Sequence, residues 1–346
     1  MEENVEWRLI KRPIFEAQRS DFKVTTSPIP EPGPGEVLIR NIYLFVPPSM
    51  RLWMNEKQSY WPSEDLGNIM RGIMLGQVEA SNDPAYPVGC YVNSNFARWQ
   101  SYHVISTELL LPPIEKHPQI PLELYASNVL DVNGFTAMVG IDQVCKPKEG
   151  QTLVVDAAAG NVGSLAAQIA KKRGARVIGI AGGSQKCGWI EDECGIDAAI
   201  DYKNQDVGER LDELAPDGID LVFENVGGPI FDAILNRIND YATIALCGMI
   251  SHYNDDPDIP RDTDQFQRTS ALMSIVTRFA RIQGFLVHDY EHLYCEMRSE
   301  MESWILEDSL KYKVEVLEGF DSILDAMANL YSGRNQGVQL VQVSDI

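Results

Sequence analysis

The chain has 346 residues, enough for two folded domains with separate cores. Its 50 acidic side chains against 29 lysines and arginines leave a formal charge of −21, which repels nucleic-acid backbones and anionic membrane surfaces, so neither is an expected partner. Six scattered cysteines without a C-x-x-C pair give no disulfide framework or zinc-ligand spacing, and no run of about 18 apolar residues occurs, so a soluble, cytoplasmic protein is expected.

From Trp7 to about Pro121, short alternating segments such as "GEVLIRNIYLFV" and "GCYVNSNFARWQSYHVIS" are broken by proline and glycine, the pattern of a β-rich, barrel-like domain. From about Leu122 strands alternate with helices, as in "QTLVVDAA", "NVGSLAAQIAKKRG", "ARVIGIAG", "SQKCGWIEDECG", "GIDLVFENV" and "YATIALCGMI". That order predicts a doubly wound α/β sheet. After "RIQGFLV" comes a helix, "EHLYCEMRSEMESWILED", and then "KYKVEVLEGF" and "VQLVQVS", a tail expected to return to the first domain. The expected boundaries are 1–125, 126–309 and 310–346. The polar, prolyl segment from His252 to Ser270 reads as a lid or flexible loop.

In "LVVDAAAGNVG", Gly160 and Gly163 stand where a buried strand turns into a helix. Small residues there let the backbone approach a pyrophosphate, and helix N-terminal amides receive its charge. Asn161 and Val162 lie within this turn, and the Asn161 amide is placed either to contact the pyrophosphate or to face solvent. At the end of "RVIGIAGGSQK" an NAD-type site would present a carboxylate to the ribose hydroxyls, whereas this chain has Gly182, Gly183, Ser184, Gln185 and Lys186. Small residues make room for a 2′-phosphate and the ammonium of Lys186 supplies its counter-charge, so the expected cofactor is NADP(H). The alternative for Lys186 is a solvated lysine in the first turn of a helix.

Zinc-dependent dehydrogenases of this layout need clustered Cys and His ligands, and the five histidines (His103, His117, His252, His288, His292) make no such set with the cysteines. No metal is expected. Several blocks in order, "PEPGPGEVLIRNIYL", "GFTAMVGI", "AAAGNVGS", "GIAGGSQKC", "IDYKN", "FENVGG", "LCGMISHYN" and "GFLV", give a chain that over nearly its whole length resembles the zinc-independent medium-chain dehydrogenases/reductases. Within them it is similar to the NADP-dependent leukotriene/prostaglandin reductases, alkenal double-bond reductases and bacterial curcumin reductases. The resemblance implies a GroES-like β-barrel catalytic domain beside a Rossmann cofactor domain, and a homodimer associating near the edge formed by "YATIALCGMI" and "RIQGFLV".

It also implies residue roles. Lys186 and Tyr202 match positions that hold the 2′-phosphate, and Asn225 follows a strand whose carboxyl end faces the cofactor. The stretch from Cys247 to Tyr253, including Ile250 and Ser251, matches cofactor contacts, as do Phe285, Leu286, Val287 and Asn335. The family reaction moves a hydride to the β-carbon of an enone or enal, and a donor aimed at the carbonyl oxygen stabilises the enolate. Tyr253 is the candidate donor, with the nicotinamide ribose hydroxyl or solvent as alternatives. The substrate-loop stretch "FVPPSMR" departs from the family pattern, with Pro47 and Ser49 replacing an aspartate and a tyrosine while Met50 and Arg51 remain. Ser49, Met50, Arg51 and Tyr60 are the expected pocket residues. Trp53, Tyr60 and Trp61 read either as a stacking surface for a flat aromatic enone or as packing beneath a loop. Three functions follow: an NADPH-dependent carbon-carbon double-bond reductase of unsaturated ketones or aldehydes, a quinone reductase using the same cofactor site, or a non-catalytic NADPH-binding protein.

Overall fold

The computed structural model describes residues 3–56, 61–254 and 265–346. The first unit opens with an antiparallel hairpin of β1 (Glu3–Leu9) and β2 (Phe22–Pro28). Helix α1 (Met50–Trp53) and four more strands follow: β3 (Glu36–Phe45), β4 (Arg71–Ser81), β5 (Tyr91–Arg98) and β6 (Tyr102–Ser106). Strand β3 pairs antiparallel with β4 and β6, and register shifts after Leu38 and Asn41 bend the pair. Such bulges increase local twist and curl the sheet on itself. Trp7, Phe22 and Trp99 fill the interior, with the Phe22 and Trp99 rings stacked at 5.2 Å between centroids.

The second unit begins with α2 (Val132–Met138), which runs into a π-helical stretch, Val139–Cys145. Its parallel sheet comprises β7 (Thr152–Val155), β8 (Arg176–Ala181), β9 (Ala198–Asp201), β10 (Ile219–Glu224), β11 (Ile238–Leu246) and β12 (Arg281–Gly284). The spatial order is β12-β11-β10-β7-β8-β9, every pair parallel. This is the doubly wound order, and the predicted α/β class holds. Leu153, Val154 and Val155 are fully buried because helices cover both faces of the sheet, which is why β7 reads as a continuous apolar run. Between the strands lie α3 (Asn161–Lys172), α4 (Ser184–Asp192), α5 (Val207–Leu214), α6 (Gly228–Leu235) and α7 (Gln265–Thr277). Helix α8 (Tyr294–Leu306) packs on α2, with the Phe135 and Tyr294 rings 4.6 Å apart.

The C-terminal elements are β13 (Val314–Glu318), α9 (Ile323–Tyr331) and β14 (Val338–Gln342). Strand β14 pairs antiparallel with β3, and β13 pairs parallel with β14, so both join the sheet of the first unit. Just before β14, Gly337 donates its amide to the Ala159 carbonyl at 3.0 Å and bridges to Gly160. The tail thereby meets the glycine turn after β7, and one apolar cluster runs from Trp7 through Leu165 to Leu340. Of the His252–Ser270 segment, residues 255–264 lie outside the described residues.

Candidate active site

A cleft of about 550 Å³ opens between the units. It lies over the carboxyl ends of β7 and β10, where the strand order reverses and open α/β sheets bind ligands. The described lining residues include no aspartate, glutamate or arginine, and one lysine, Lys186. In a chain of charge −21, this cleft is set apart for an anion.

The turn after β7 forms its floor. A Cβ at Gly163 would lie 2.4 Å from the Ala157 carbonyl, so only glycine permits the first turn of α3 to sit this close to the preceding loop. The Asn161 side-chain nitrogen is buried without a hydrogen-bond partner at the start of that helix. An unsatisfied donor beside helix N-terminal amides fits a phosphate oxygen. At the end of β8, Gly182 lies beneath Tyr202: a Cβ there would come within 2.9 Å of the Tyr202 ring. Lys186 donates to the carbonyls of Gly333, at 2.9 Å, and Asn335, joining α4 to the C-terminal segment. Burial lowers its pKa, as does the neighbouring Lys203. These glycines, the Asn161 amide and Lys186 together fit a phosphorylated dinucleotide.

The opposite wall comes from β10, β11 and their following turns. Asn225 donates its side-chain nitrogen to the Asp156 carbonyl at 3.1 Å, which fixes it at the rim. The Tyr253 hydroxyl accepts from the Met249 amide at 3.1 Å and so is held over the cleft. The Cys247 thiol is pushed up to about 12 by burial and by the nearby carboxyls of Asp156 and Glu224, which keeps it protonated. Phe285, Leu286 and Val287, after β12, complete this side.

The outer part of the cleft is apolar. Phe45, Pro47, Pro48 and Ser49 line it, as do Trp53 and Trp61, whose rings lie 5.9 Å apart. Trp61 also packs against His288 and lies under the Arg71 guanidinium. Tyr331, from α9, donates its hydroxyl to the Pro48 carbonyl at 2.5 Å and anchors this loop.

The structure thus gathers Gly160, Asn161, Val162, Gly163, Lys186, Tyr202, Asn225, Cys247, Ile250, Ser251, Tyr253, Phe285, Leu286, Val287, Asn335 and Ser49 around one cleft. Gly183 is not on its wall: it precedes α4 and donates its amide to Asp201 at 2.7 Å. The two retained loop residues are corrections to the expected pocket. Met50 is fully buried in the core, and Arg51, 1% exposed, turns its guanidinium away to the carbonyls of Phe15, at 2.6 Å, and Pro13, at 2.9 Å. Tyr60 lies outside the described residues. Sequence reasoning missed Asn95, Asn133, Thr136, Tyr331 and Gln339, which line the cleft from elements far apart in the chain. For Asn133 and Thr136 a signal existed, since the first immediately precedes the "GFTAMVGI" block and the second lies within it.

A doubly wound sheet with a phosphate cradle at its switch point, beside a curled, mainly antiparallel sheet, is the layout of the two-domain dinucleotide-dependent oxidoreductases. Two family models match, one described as "N-terminal domain of oxidoreductase" over residues 5–112 and one as "Zinc-binding dehydrogenase" over residues 161–293. Despite the second description, no group of three or more His, Cys, Asp or Glu able to hold a metal ion occurs among the described residues. The chain is 36% identical to the NADPH-dependent curcumin reductase of Escherichia coli (strain K12), covering 99% of this chain and 97% of that protein. It is 37% identical to the 2-alkenal reductase (NADP(+)-dependent) of Nicotiana tabacum, covering 91% and 89% respectively. The crystal structure of CurA in complex with NADPH from Vibrio vulnificus superposes with a TM-score of 0.91 at 38% identity, covering 99% of this chain and all of that one. The chain belongs to the medium-chain dehydrogenase/reductase family, in the group of NADPH-dependent reductases that contains these proteins.

Proposed function

We infer that this protein is an NADPH-dependent reductase of the carbon-carbon double bond of α,β-unsaturated ketones or aldehydes. The observation that carries the reading is one cleft, free of acidic side chains among its described residues, with Lys186 and the unpaired Asn161 amide at one end and an aromatic wall of Trp53 and Trp61 at the other. The chain's likeness to curcumin and 2-alkenal reductases supports it.

When bound, NADPH supplies the hydride that adds to the β-carbon of the substrate. This chain's residues do the rest. Asn161, the turn from Gly160 to Gly163, and Asn335 hold the pyrophosphate; Lys186 and Tyr202 take the 2′-phosphate. Asn225, Cys247, Ile250, Ser251 and Phe285 to Val287 shape the nicotinamide end. The Tyr253 hydroxyl donates to the carbonyl oxygen as negative charge develops there, and a proton then reaches the α-carbon. The net change is one reduced carbon-carbon bond for one oxidised cofactor. The Ser49 loop and Trp61 receive the flat substrate. Product analysis tests this directly: a saturated product that retains its carbonyl supports the reading, and a hydroquinone formed in preference to it opposes it.

We place the domain boundaries at 125/126 and 309/310, and propose a homodimer. Tyr241 and Phe279 stack at 5.5 Å while 76% and 66% exposed, next to the edge strand β12 and the exposed Leu272, Met273 and Val276 of α7. Such a contiguous apolar surface beside an open sheet edge favours a second copy of the chain. A cytoplasmic setting suits the six cysteines, none of them in a disulfide.

A further inference from the structure

Beneath the cleft, at the ends of β7 and β10, two carboxyl side chains meet in a fully buried site. Asp156 and Glu224 are each 0% exposed, and their carboxyl groups converge on one backbone amide, that of Val226. Between them they collect three successive backbone amides. Asp156 Oδ1 accepts from Asn225 at 2.6 Å, Glu224 Oε1 accepts from Val226 at 2.8 Å and from Gly227 at 2.5 Å, and Asp156 Oδ2 accepts a second bond from Val226 at 3.2 Å. Glu224 Oε2 is buried without a hydrogen-bond partner, which leaves it the oxygen of the pair open to a proton.

The held loop is itself a scaffold. The Asn225 carbonyl accepts from the Ile250 amide and the Val226 carbonyl from the Ser251 amide, both at 3.0 Å, and the Ser251 hydroxyl adds a bond of 2.6 Å to Val226. The turn so fixed ends in Tyr253. Gly227, at φ +77, lets the chain bend back over Glu224.

We propose that Asp156 and Glu224 form a proton-sharing pair of positioning residues: one proton between them holds the Asn225–Gly227 loop, and through it the wall that carries Ser251 and Tyr253. This rests on the functional reading above for its ligand, NADPH. Desolvation raises the affinity of both carboxyls for protons, and each charge disfavours the other, so the pair keeps one proton near neutrality. Among the described residues, the other titratable groups facing it are the Cys247 thiol, from the end of β11, and His252, whose ring lies against Gly227. Loss of the shared proton leaves two carboxylates opposed in a dry site and releases the loop.

The test is NADPH affinity, read as the dissociation constant from nicotinamide fluorescence, across the alkaline range in wild type, Glu224→Gln and Asp156→Asn. Glutamine keeps the Oε1 acceptor for Val226 and Gly227 and permanently donates from the other atom to Asp156. The wild-type dissociation constant is expected to rise by about tenfold per pH unit once the proton leaves, and that of Glu224→Gln by less than about twofold between about pH 7 and 9.5. Lys186 titrates equally in both and cancels in the comparison. Parallel profiles in wild type and Glu224→Gln, whether flat or falling, overturn the proposal, and Asp156→Asn repeats the test should the first variant not fold. If no form binds NADPH, the functional reading fails instead, and amide exchange at residues 225–227 at about pH 9 decides the pair: slower exchange in Glu224→Gln than in wild type upholds it, and equal exchange overturns it.

Discussion

The ammonium of Lys186, on α4, donates to the backbone carbonyl of Asn335, on the C-terminal segment, and so ties the cofactor sheet to the tail that closes the cleft. This carbonyl and that of Gly333 hold the ammonium at the cleft where we propose the 2′-phosphate binds.

Lys186→Ala therefore separates the two nicotinamide cofactors. The loss of one charge-assisted hydrogen-bonding group, about 1.5 to 3 kcal/mol, raises the KM for NADPH by about 10- to 150-fold. The KM for NADH, which has no 2′-phosphate, changes by less than about threefold on the same scale. Steady-state kinetics with both cofactors checks this, and equal changes would remove Lys186 from the phosphate site.

Tyr253→Phe removes a hydroxyl held over the cleft by the Met249 amide and leaves the ring in place. Turnover falls by about 100- to 1000-fold, the size of one lost donor to a developing oxyanion, while the NADPH dissociation constant stays the same. Undiminished turnover would assign the enolate to the ribose hydroxyl or to solvent.

How much of the site the sequence discloses depends on how local each contact is. The cofactor end is legible because backbone needs fix it: Gly160 and Gly163 must be small, and Lys186 follows β8 by only a few residues. The strand order likewise follows from the regular βα alternation. The substrate end is not legible, because side-chain direction in the loop from Phe45 to Arg51 is set from far away. Tyr331 grips Pro48 across 283 positions, and the carbonyls of Pro13 and Phe15 draw Arg51 out of the cleft. In a short helix one residue's shift in orientation moves a side chain from pocket to core, and no periodicity within "FVPPSMR" records it.

Arg51→Ala accordingly acts on stability. It strips the carbonyls of Pro13 and Phe15 of a buried charged donor and leaves a void in the core, a cost of about 3 kcal/mol. Chemical denaturation measures it; unchanged stability, with a selective loss of substrate affinity, would return Arg51 to the pocket.

His103, on β6, is 4% exposed with neither ring nitrogen hydrogen-bonded, and burial pushes its pKa down to about 4 from an ordinary value of 6.5. The unfolded chain therefore binds a proton that the folded chain refuses between these values. Stability falls as pH drops through 6.5, by about 3 kcal/mol in all, and levels off below about pH 4. His103→Leu should flatten this acid arm in thermal melts compared with wild type, and an identical acid arm would show that the ring is not held neutral.

On the reading proposed above, one cleft combines a 2′-phosphate site with a surface for a conjugated carbonyl compound. Oxidation of NADPH and of NADH, each followed by absorbance over a panel of enals, aryl enones and quinones with product identification, tests it most directly. NADPH oxidation well above that of NADH, with a saturated product whose carbonyl is intact, is the expected result. Tight NADPH binding without consumption on any acceptor, or hydroquinone formation with enones untouched, would contradict it.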